Sequence, residues 1–239
     1  MKRLLIICAA VSFFLAGCGS TVTTQVIPVQ TPLPEQEEAV YRVEDSSGNQ
    51  IGRAIFTIAA DGSDLRLTQD YDFGEGQIDR SSVVVDRASM RPRSSERMVV
   101  DETLNYRTEA DYNEDSVRVT FEGEQGERQR DADISETAYD NLESLFLWRT
   151  IAMGAGETIS YVNVVVDPKR GTINRALGTI EVSGREHVEL PSGTVEAWRV
   201  DFRSAGVTNH AWYSVDGDHQ LVKYDIQRGP TLVLEQISP

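Results

Sequence analysis

Residues 197–203 read Ala-Trp-Arg-Val-Asp-Phe-Arg, and this stretch decides the fold class. Trp198, Val200 and Phe202 fall on one side of an extended chain, because successive side chains of a strand point to opposite faces. The charged residues between them fall on the other side. Such an alternation predicts a strand with one buried and one solvated face, which is typical of an antiparallel sheet.

The same pattern recurs along most of the chain. Short runs of β-branched and aromatic residues are separated by Gly, Asp, Asn and Pro, which favour turns. So many strands predict a mainly β fold, with a strongly curved antiparallel sheet or an incomplete β-barrel. The predicted strands are residues 50–59, 65–71, 78–86, 93–100, 104–112, 117–122, 159–166, 175–182, 187–190, 194–202, 208–215, 221–226 and 231–236.

One segment, residues 134–151, departs from the period-two pattern, because its apolar residues recur at helical spacing. Asp133 or Ser135 can cap its start, and Gly154 and Gly156 can end it. The segment predicts one amphipathic helix whose apolar face packs into the concave side of the sheet.

The N-terminus has the layout of a bacterial lipoprotein signal peptide. Lys2 and Arg3 precede an apolar run, residues 4–16, that ends in Leu-Ala-Gly-Cys. This run is shorter than the roughly 20 residues that a membrane-spanning helix needs. Leu-Ala-Gly-Cys resembles the lipobox, so we expect a signal peptide of residues 1–17 and a diacylglycerol on the Cys18 thiol. An ordinary cleaved signal with an incidental cysteine is the alternative.

Residues 18–39 are predicted to be the lipid anchor and an extended tether rich in Pro, Thr and Gln. Residues 40–239 follow as a single β-rich domain, long enough to bury one substantial core. The other cysteine, Cys8, lies within the predicted signal peptide. The mature domain is therefore expected to have no disulfide and to be stabilised by packing.

The chain is strongly acidic, with a formal net charge of −15. A surface of this sign repels nucleic acids and anionic lipid headgroups, so a nucleic-acid partner is disfavoured. Acidic residues also confer solubility, which alone can account for the imbalance.

The histidines give little support for a metal site. His187, His210 and His219 match no common zinc spacing. His219 ends the sequence Val-Asp-Gly-Asp-His, residues 215–219, which is typical of a polar hairpin turn.

A weak calcium candidate follows a predicted strand. Asp111, Asn113, Asp115 and Glu122 occupy positions 1, 3, 5 and 12 of the calcium-loop template. Ser116 stands where the loop needs Gly, and both flanks are predicted strands instead of helices. An ordinary hairpin turn is the simpler interpretation.

Nothing in the sequence supports catalysis. The chain lacks a Gly-x-Ser-x-Gly elbow and a phosphate-binding Gly-rich loop. His210 and Trp212 share a strand face and could form part of a pocket, but a histidine on a half-buried strand is more often structural. We expect neither enzymatic activity nor a cofactor, and an envelope hydrolase ranks last among the alternatives.

Residues 180–200 resemble a pattern found in uncharacterised bacterial envelope proteins, which are grouped as domains of unknown function. The pattern includes Pro-Ser-Gly followed by an alternating strand, and it continues through residues 211–214 and 221–224. It begins with a strand pair like residues 41–43 and 51–54. The wider fold group resembles the lipoprotein-localisation factors, which implies a half-open β-barrel with a helix in its mouth. Those factors bind acyl chains, an analogy at the level of fold only.

The sequence therefore favours a lipid-anchored cell-envelope lipoprotein that binds an apolar ligand, such as a lipid or acyl chain. The alternative is a structural or assembly lipoprotein that presents its acidic surface to a protein partner. In a host with two membranes, Gly19 after the modified cysteine predicts outer-membrane residence facing the periplasm. The candidate lining residues, for which core packing is the alternative role, are Leu142, Leu145, Phe146, Trp148, Trp198, Phe202, Trp212 and Tyr224.

Overall fold

The structure is a computed structural model that describes residues 23–101, 105–124 and 126–238. The described residues form fifteen strands, a short 3₁₀ helix (Asn141–Glu143) and one α-helix, α1 (Ser144–Arg149). The strands are β1 (Gln36–Glu44), β2 (Gln50–Asp61), β3 (Asp64–Asp72), β4 (Ile78–Asp86), β5 (Pro92–Val100), β6 (Asn105–Tyr112), β7 (Ser116–Glu122), β8 (Arg128–Asp133), β9 (Ala138–Asp140), β10 (Thr158–Asp167), β11 (Thr172–Leu190), β12 (Gly193–Ser204), β13 (Val207–Ser214), β14 (Leu221–Asp225) and β15 (Thr231–Ser238).

All fifteen strands belong to one sheet with the order β8-β7-β6-β5-β4-β3-β2-β1-β15-β14-β13-β12-β11-β10-β9. Neighbouring strands in this order pair antiparallel, including β1 with β15, except that β9 and β10 pair in parallel. The two outermost strands, β8 and β9, do not pair with each other in the described part of the chain. The sheet is therefore strongly curved but not closed, which confirms the predicted fold class.

The concave face holds the main core. Period-two alternation directs Tyr41, Phe56, Leu65, Val83 and Val200 inward from five different strands, and all are almost fully buried. A second, smaller cluster packs β6 and β7 against β9 and β10 near the two sheet edges. Apolar packing thus closes the gap that backbone pairing leaves open.

Antiparallel pairing gives the sheet two distinct ends. We call the end that carries the turns β1–β2, β3–β4, β12–β13 and β14–β15 the upper end. The lower end carries the turns β2–β3, β4–β5, β11–β12 and β13–β14. The helix α1 lies inside the concave face, and it runs from the end of β9 down to Thr150 at the lower end.

The predicted amphipathic helix over residues 134–151 is wrong in extent. Ala138 and Tyr139 are fully buried in β9, where they pair with β10. Helical structure begins after Asp140, whose side chain accepts a hydrogen bond from Leu142 N at 2.9 Å while Glu143 accepts one from Asp140 N at 2.9 Å. This capping box replaces the predicted caps at Asp133 and Ser135. The helix has no solvated face because all six residues of α1 are buried.

The helix also ends before the predicted glycines. Its last residue is Arg149, with Thr150 as the C-cap. Gly154 and Gly156 instead belong to the turn that leads into β10, where Gly156 N donates to Val182 O. Residues 138–149 therefore combine a strand and a short buried helix that share one apolar pattern.

Residues 23–35, which we call the strap, correct the prediction of an unpacked tether. Ile27 is 1% exposed and Leu33 is 8% exposed, and both belong to the main core. Gln25 N donates to Ser160 O at 2.8 Å, and Gln30 N donates to Thr150 O at 2.8 Å. Burying one isoleucine stabilises a fold by about 1.5–3 kcal/mol, and the buried Leu33 and the backbone hydrogen bonds of the strap add to this contribution.

Three further strand boundaries differ from the prediction. The first strand begins at Gln36, within the predicted tether. The predicted strands 175–182 and 187–190 are parts of one strand, β11, with a register shift between Val182 and Gly184. The sequence of β8, Arg-Gln-Arg-Asp-Ala-Asp, has no apolar alternation and was not predicted.

Candidate functional site

A cleft of about 340 Å³ opens at the upper end of the concave face, between α1 and the sheet. Strands β3, β4 and β5 form one wall, while β12, β13 and β14 form the other. The residues before and within α1 form its floor. Its lining residues are Gln69, Tyr71, Phe73, Asp79, Ser81, Arg97, Asn141, Leu142, Ser144, Leu145, Trp148, Phe202, Asn209, Tyr224, Ile226 and Pro230.

The β12–β14 wall and the floor are mainly aromatic and aliphatic. The ring centroid of Trp148 lies 4.5 Å from that of Phe202 and 6.3 Å from that of Tyr224. The Trp148 Nε1 donates to the Tyr161 hydroxyl at 3.1 Å, which fixes the indole in place. Leu145 is the adjacent aliphatic surface on α1. This side of the cleft suits the apolar part of a ligand.

The opposite wall is polar. Gln69 Nε2 donates to Leu142 O at 2.5 Å, and the Tyr71 hydroxyl donates to Gln69 Oε1 at 3.0 Å. These bonds tie β3 to the start of the helical segment. Their groups can also offer hydrogen bonds to a ligand in the cleft, because Gln and Tyr side chains have both donor and acceptor capacity.

The charged groups of this wall form a two-pronged ion pair. Arg97 Nε and Nη2 donate to the two carboxylate oxygens of Asp79 at 2.9 and 2.6 Å. Burial alone would lower the pKa of Arg97, but the hydrogen bond and negative charge of Asp79 outweigh it and raise that pKa. The Arg97 guanidinium therefore stays charged at neutral pH. The guanidinium keeps N–H groups that face away from Asp79, since arginine has five donors.

Two tyrosines of the cleft are neutral hydrogen-bonding groups. Burial raises the pKa of Tyr71 and of Tyr224 well above the ordinary value. Tyr224 accepts a hydrogen bond from Asn209 Nδ2 at 2.8 Å. The cleft therefore joins an apolar side to a polar side whose single ion pair is internally balanced.

Five of the eight predicted lining residues meet at this cleft: Leu142, Leu145, Trp148, Phe202 and Tyr224. The other three do not line it. Phe146 lies elsewhere on α1, where its ring packs 5.8 Å from that of Phe56. Trp198 packs against the main core outside the cleft, with the Arg185 guanidinium 4.4 Å from its ring centroid.

Trp212 is the clear correction, because it lies on the convex face. Its neighbours Ala211 and Tyr213 occupy the concave positions and are fully buried. Trp212 packs with Val188 and Val222 in a separate cluster on the outer side. The run Ala-Trp-Tyr has apolar side chains on both faces, so alternation could not tell which face was inward.

The predicted common face of His210 and Trp212 is confirmed, with 6.2 Å between the ring centroids. It carries a network of charges outside the cleft. Asp201 accepts from Arg199 Nε at 2.8 Å and contacts His210 Nδ1 at 2.6 Å, and Glu186 accepts from Trp212 Nε1 at 2.8 Å. Burial acts to raise the pKa of Asp201, but its hydrogen bonds outweigh this effect and lower that pKa. Each side chain of this network is therefore engaged by another side chain of the fold.

The polar wall was missed at the sequence level, although a pattern for it exists. From the lower to the upper end, the inward positions of β3 are Leu65, Leu67, Gln69 and Tyr71. Those of β4 change in the same direction from Val85 to Asp79. In both strands the inward face changes from aliphatic to polar toward the upper end. Because adjacent antiparallel strands run in opposite directions, this pattern emerges only after the strands are paired.

The calcium candidates are not brought together. Asp111 lies near the end of β6, just before a tight turn that contains Asn113 and Asp115. In this turn Asn113 N donates to Ser116 O. Glu122 lies at the far end of β7, six residues and about 20 Å beyond this turn. Residues 215–219 likewise form part of the β13–β14 turn. Within the described ranges, no group of three His, Cys, Asp or Glu side chains is arranged to hold a metal.

The predicted signal peptide (residues 1–17), Cys18 and residues 19–22 lie outside the described residues. Among the residues that the structure does describe, no helix has the length and apolar character needed to cross a bilayer.

A family model described as a protein of unknown function, DUF3108, matches residues 38–231. The chain belongs to the DUF3108 family. The match runs from β1 into β15 and so includes both walls of the cleft. It confirms the predicted membership in a family of unknown function, whereas the resemblance to lipoprotein-localisation factors stays a prediction.

Two other comparisons complete this description. None of the proteins with curated descriptions matches this DUF3108 protein. The chain is also similar to a Bacteroides fragilis protein whose crystal structure is described as that of an exported protein with a YmcC-like fold. The identity is 10% and the TM-score 0.33, and the alignment covers 89% of this chain and 100% of the other. The assignment to a family therefore rests on the family model.

Proposed function

We propose that this DUF3108 protein is a lipid-anchored protein of the cell envelope that binds the apolar part of an amphipathic ligand without catalysis. The observation that carries this proposal is the cleft beside α1, which joins an aromatic and aliphatic side to a polar side. Such a combination is typical of ligand sites, where apolar contacts supply affinity and a few polar groups fix orientation.

The volume of the cleft limits the ligand. At about 340 Å³ it lies near the lower limit of ordinary small-molecule sites, which span about 300–1,000 Å³. It suits one acyl chain or one ring system instead of a whole two-chain lipid. Each buried methylene contributes about 0.8 kcal/mol, so micromolar binding, which needs about 8 kcal/mol, corresponds to a chain of about ten buried carbons.

The place of action is proposed from the N-terminal sequence. Lys2 and Arg3, the apolar residues 4–16 and the lipobox-like Leu-Ala-Gly-Cys support export and acylation of Cys18. Outer-membrane residence facing the periplasm is the corresponding proposal for a host with two membranes.

The cleft also supports a binding role over a catalytic one. Its two charged side chains, Arg97 and Asp79, bind each other through two hydrogen bonds. A base or nucleophile needs an unengaged reactive group aimed at the substrate. An ion pair with spare donors instead orients a polar group of the ligand.

The test combines native mass spectrometry with a binding titration. The full chain is extracted in mild detergent, and bound ligand is sought by native mass spectrometry. A dansyl-labelled undecanoic acid is then titrated into the protein. We expect the wild type to bind the probe and Leu142→Trp, which fills the cleft, to bind it at least tenfold more weakly.

The matched control is Leu177→Trp, which places the same side chain on an exposed position of β11 outside the cleft. It should bind the probe like the wild type. Equal binding by both variants would contradict a ligand in this cleft. No bound ligand and no probe binding would favour the alternative, an assembly lipoprotein that presents its acidic surface to a protein partner.

A further inference from the structure

Tyr161 lies directly behind two residues that line the cleft. Its hydroxyl accepts from Trp148 Nε1 at 3.1 Å, and its ring centroid lies 6.1 Å from that of Phe202. Gly178 stands opposite Tyr161 on β11, and a Cβ there would come within 3.1 Å of the Tyr161 ring and 2.9 Å of the Phe202 ring. The missing side chain lets the two rings pack closely. Tyr161 is fully buried and so backs the aromatic side of the cleft.

The bond between Trp148 and Tyr161 has a fixed direction. An indole N–H can only donate, and burial raises the pKa of Tyr161 above its ordinary value, so the acceptor is a neutral hydroxyl. A buried N–H without a partner is costly, and this bond therefore selects one orientation of the indole. Because the indole forms part of the cleft surface, its orientation decides the shape that the cleft offers to a ligand.

The strap is connected to the same tyrosine. Ile27 N donates to the Tyr139 hydroxyl at 3.0 Å. The Tyr139 ring packs edge-on against that of Tyr161, with 5.7 Å between the centroids. Tyr139 lies in β9 and is also fully buried. A continuous row of contacts thus leads from the strap through the two tyrosines to Trp148.

A second set of contacts fastens the strap to the helix that carries Trp148. Gln30 N and Thr31 N donate to Thr150 O at 2.8 and 3.1 Å. Thr150 is the C-cap of α1, two residues after Trp148, and its hydroxyl donates to Leu147 O at 2.8 Å. The strap therefore supports both the backbone that carries the indole and the tyrosine that fixes it.

We propose that Tyr161 and Tyr139 are positioning residues of the ligand cleft, through which the docked strap holds Trp148 in the orientation that binds ligand. This inference rests on the proposed ligand cleft and adds a means of regulation to it. Strap docking and ligand binding are then coupled, and the coupling is reciprocal: each strengthens the other. Because the strap continues toward Cys18, the segment nearest the proposed anchor influences the affinity of the cleft.

The first test uses Tyr→Phe variants, which remove only a hydroxyl. Tyr161→Phe leaves the Trp148 N–H without its acceptor, so we expect it to bind the dansyl-labelled undecanoic acid at least fivefold more weakly than the wild type. Tyr41→Phe is the matched control, because Tyr41 is almost fully buried and its hydroxyl donates to Leu221 O at 3.0 Å outside the cleft. It should bind the probe like the wild type. Circular dichroism checks that both variants fold.

Fluorescence reports on the indole directly. The chain has three tryptophans, so Trp198→Phe/Trp212→Phe leaves Trp148 as the only emitter. Neither replaced residue lines the cleft. In this background we expect Tyr161→Phe to shift the emission to longer wavelength, because the released indole reaches water in the cleft. Tyr139→Phe, which removes only the hydrogen-bond acceptor of the strap, should produce a smaller shift in the same direction.

Hydrogen exchange tests the reverse direction of the coupling in the wild type, without any substitution. We expect a saturating concentration of the probe to slow exchange of the strap amides, residues 25–31, at least threefold, as measured by mass spectrometry. In Tyr161→Phe this slowing should be absent.

Each failure has a distinct signature. A wild type that does not bind the probe would contradict the proposed ligand cleft itself. Unchanged affinity in Tyr161→Phe, or an equal loss in Tyr161→Phe and Tyr41→Phe, would overturn the positioning role and leave the cleft intact. Strap exchange that does not respond to bound probe would overturn the coupling to the strap.

Discussion

Two arginine–carboxylate pairs of the same chemistry lie toward opposite ends of the concave face. Arg149 donates to both oxygens of Glu37 at 2.7 and 2.8 Å, and the side chains are 4% and 9% exposed. Arg97 donates to both oxygens of Asp79 at 2.9 and 2.6 Å, with 30% and 27% exposed. The two ion pairs share the same two-pronged geometry and differ in how deeply they are buried.

This difference shows why one pair is structural and the other can serve a ligand. The lower pair is enclosed by the strap, α1 and the β13–β14 turn, where Arg149 also donates to Asp218 O at 2.5 Å. Losing one partner there leaves an uncompensated buried charge. The upper pair faces the cleft, where water already screens it and a ligand can approach the guanidinium.

The largest expected effect comes from breaking the lower pair. Arg149→Met leaves Glu37 buried without a cation, so we expect the free energy of unfolding to fall by about 3–5 kcal/mol. Urea unfolding followed by circular dichroism measures it. The double variant Glu37→Leu/Arg149→Met should recover much of the loss, because it leaves no lone charge. A single variant as stable as the wild type would contradict this account.

The second effect compares apolar residues on the two sides. Ile27 of the strap is 1% exposed, so Ile27→Ala should cost about 2–4 kcal/mol through lost burial and a residual cavity. Leu142 in the cleft is only partly buried, and Leu142→Ala should cost about 1 kcal/mol. Equal costs in the same urea assay would mean that the cleft is closed.

The sheet was predictable because its information is local. Alternation in residues 197–203 gives both the strand and its inward face, and Gly- or Asp-rich turns mark the ends. The aliphatic and aromatic side of the cleft followed from the same pattern. Residues such as Leu145 and Trp148 belong to an apolar run that any curved sheet would enclose.

The missed features depend on pairing across the chain. The strap reads as a Pro-rich linker, and only contacts with Tyr139, Thr150 and Ser160, more than a hundred residues away, make it part of the core. Tyr139 belongs to β9, whose apolar spacing is compatible with a helix until the β10 partner is placed. The polar wall similarly needs β3, β4 and β5 in register, and Asp79 meets Arg97 only once β4 is paired with β5.

The third prediction contrasts the paired Glu37 with a carboxyl that forms no salt bridge in the described part of the chain. Glu143 is fully buried, and its Oε2 has no hydrogen-bond partner among the described residues. Burial, and then the nearby charge of Asp140, raise the pKa of Glu143 well above its ordinary value. Burial also raises the pKa of Asp140.

A raised carboxyl pKa means that the folded protein keeps a proton that the unfolded chain releases. The stabilising contribution is complete below the unfolded pKa and is lost as pH rises toward the folded pKa. We expect unfolding free energy to decline as the pH rises above the ordinary carboxyl pKa of about 4, by at most about 1.4 kcal/mol per pH unit for each group. Glu143→Gln should flatten this decline in urea titrations. An unchanged slope would show that Glu143 is ionised in the fold.

The smallest effect on stability, with a large effect on binding, is expected at the upper pair. Arg97→Met should lower the unfolding free energy by only about 1 kcal/mol, because Asp79 remains partly hydrated after the cation is lost. It should nevertheless weaken binding of the dansyl-labelled undecanoic acid severalfold, since the probe carboxylate loses its cationic donor. Arg97→Lys keeps the charge but not the two-pronged geometry, and it should recover part of the affinity. If Arg97→Met were as destabilising as Arg149→Met yet bound the probe normally, the upper pair would be structural, and its proposed role in ligand binding would be contradicted.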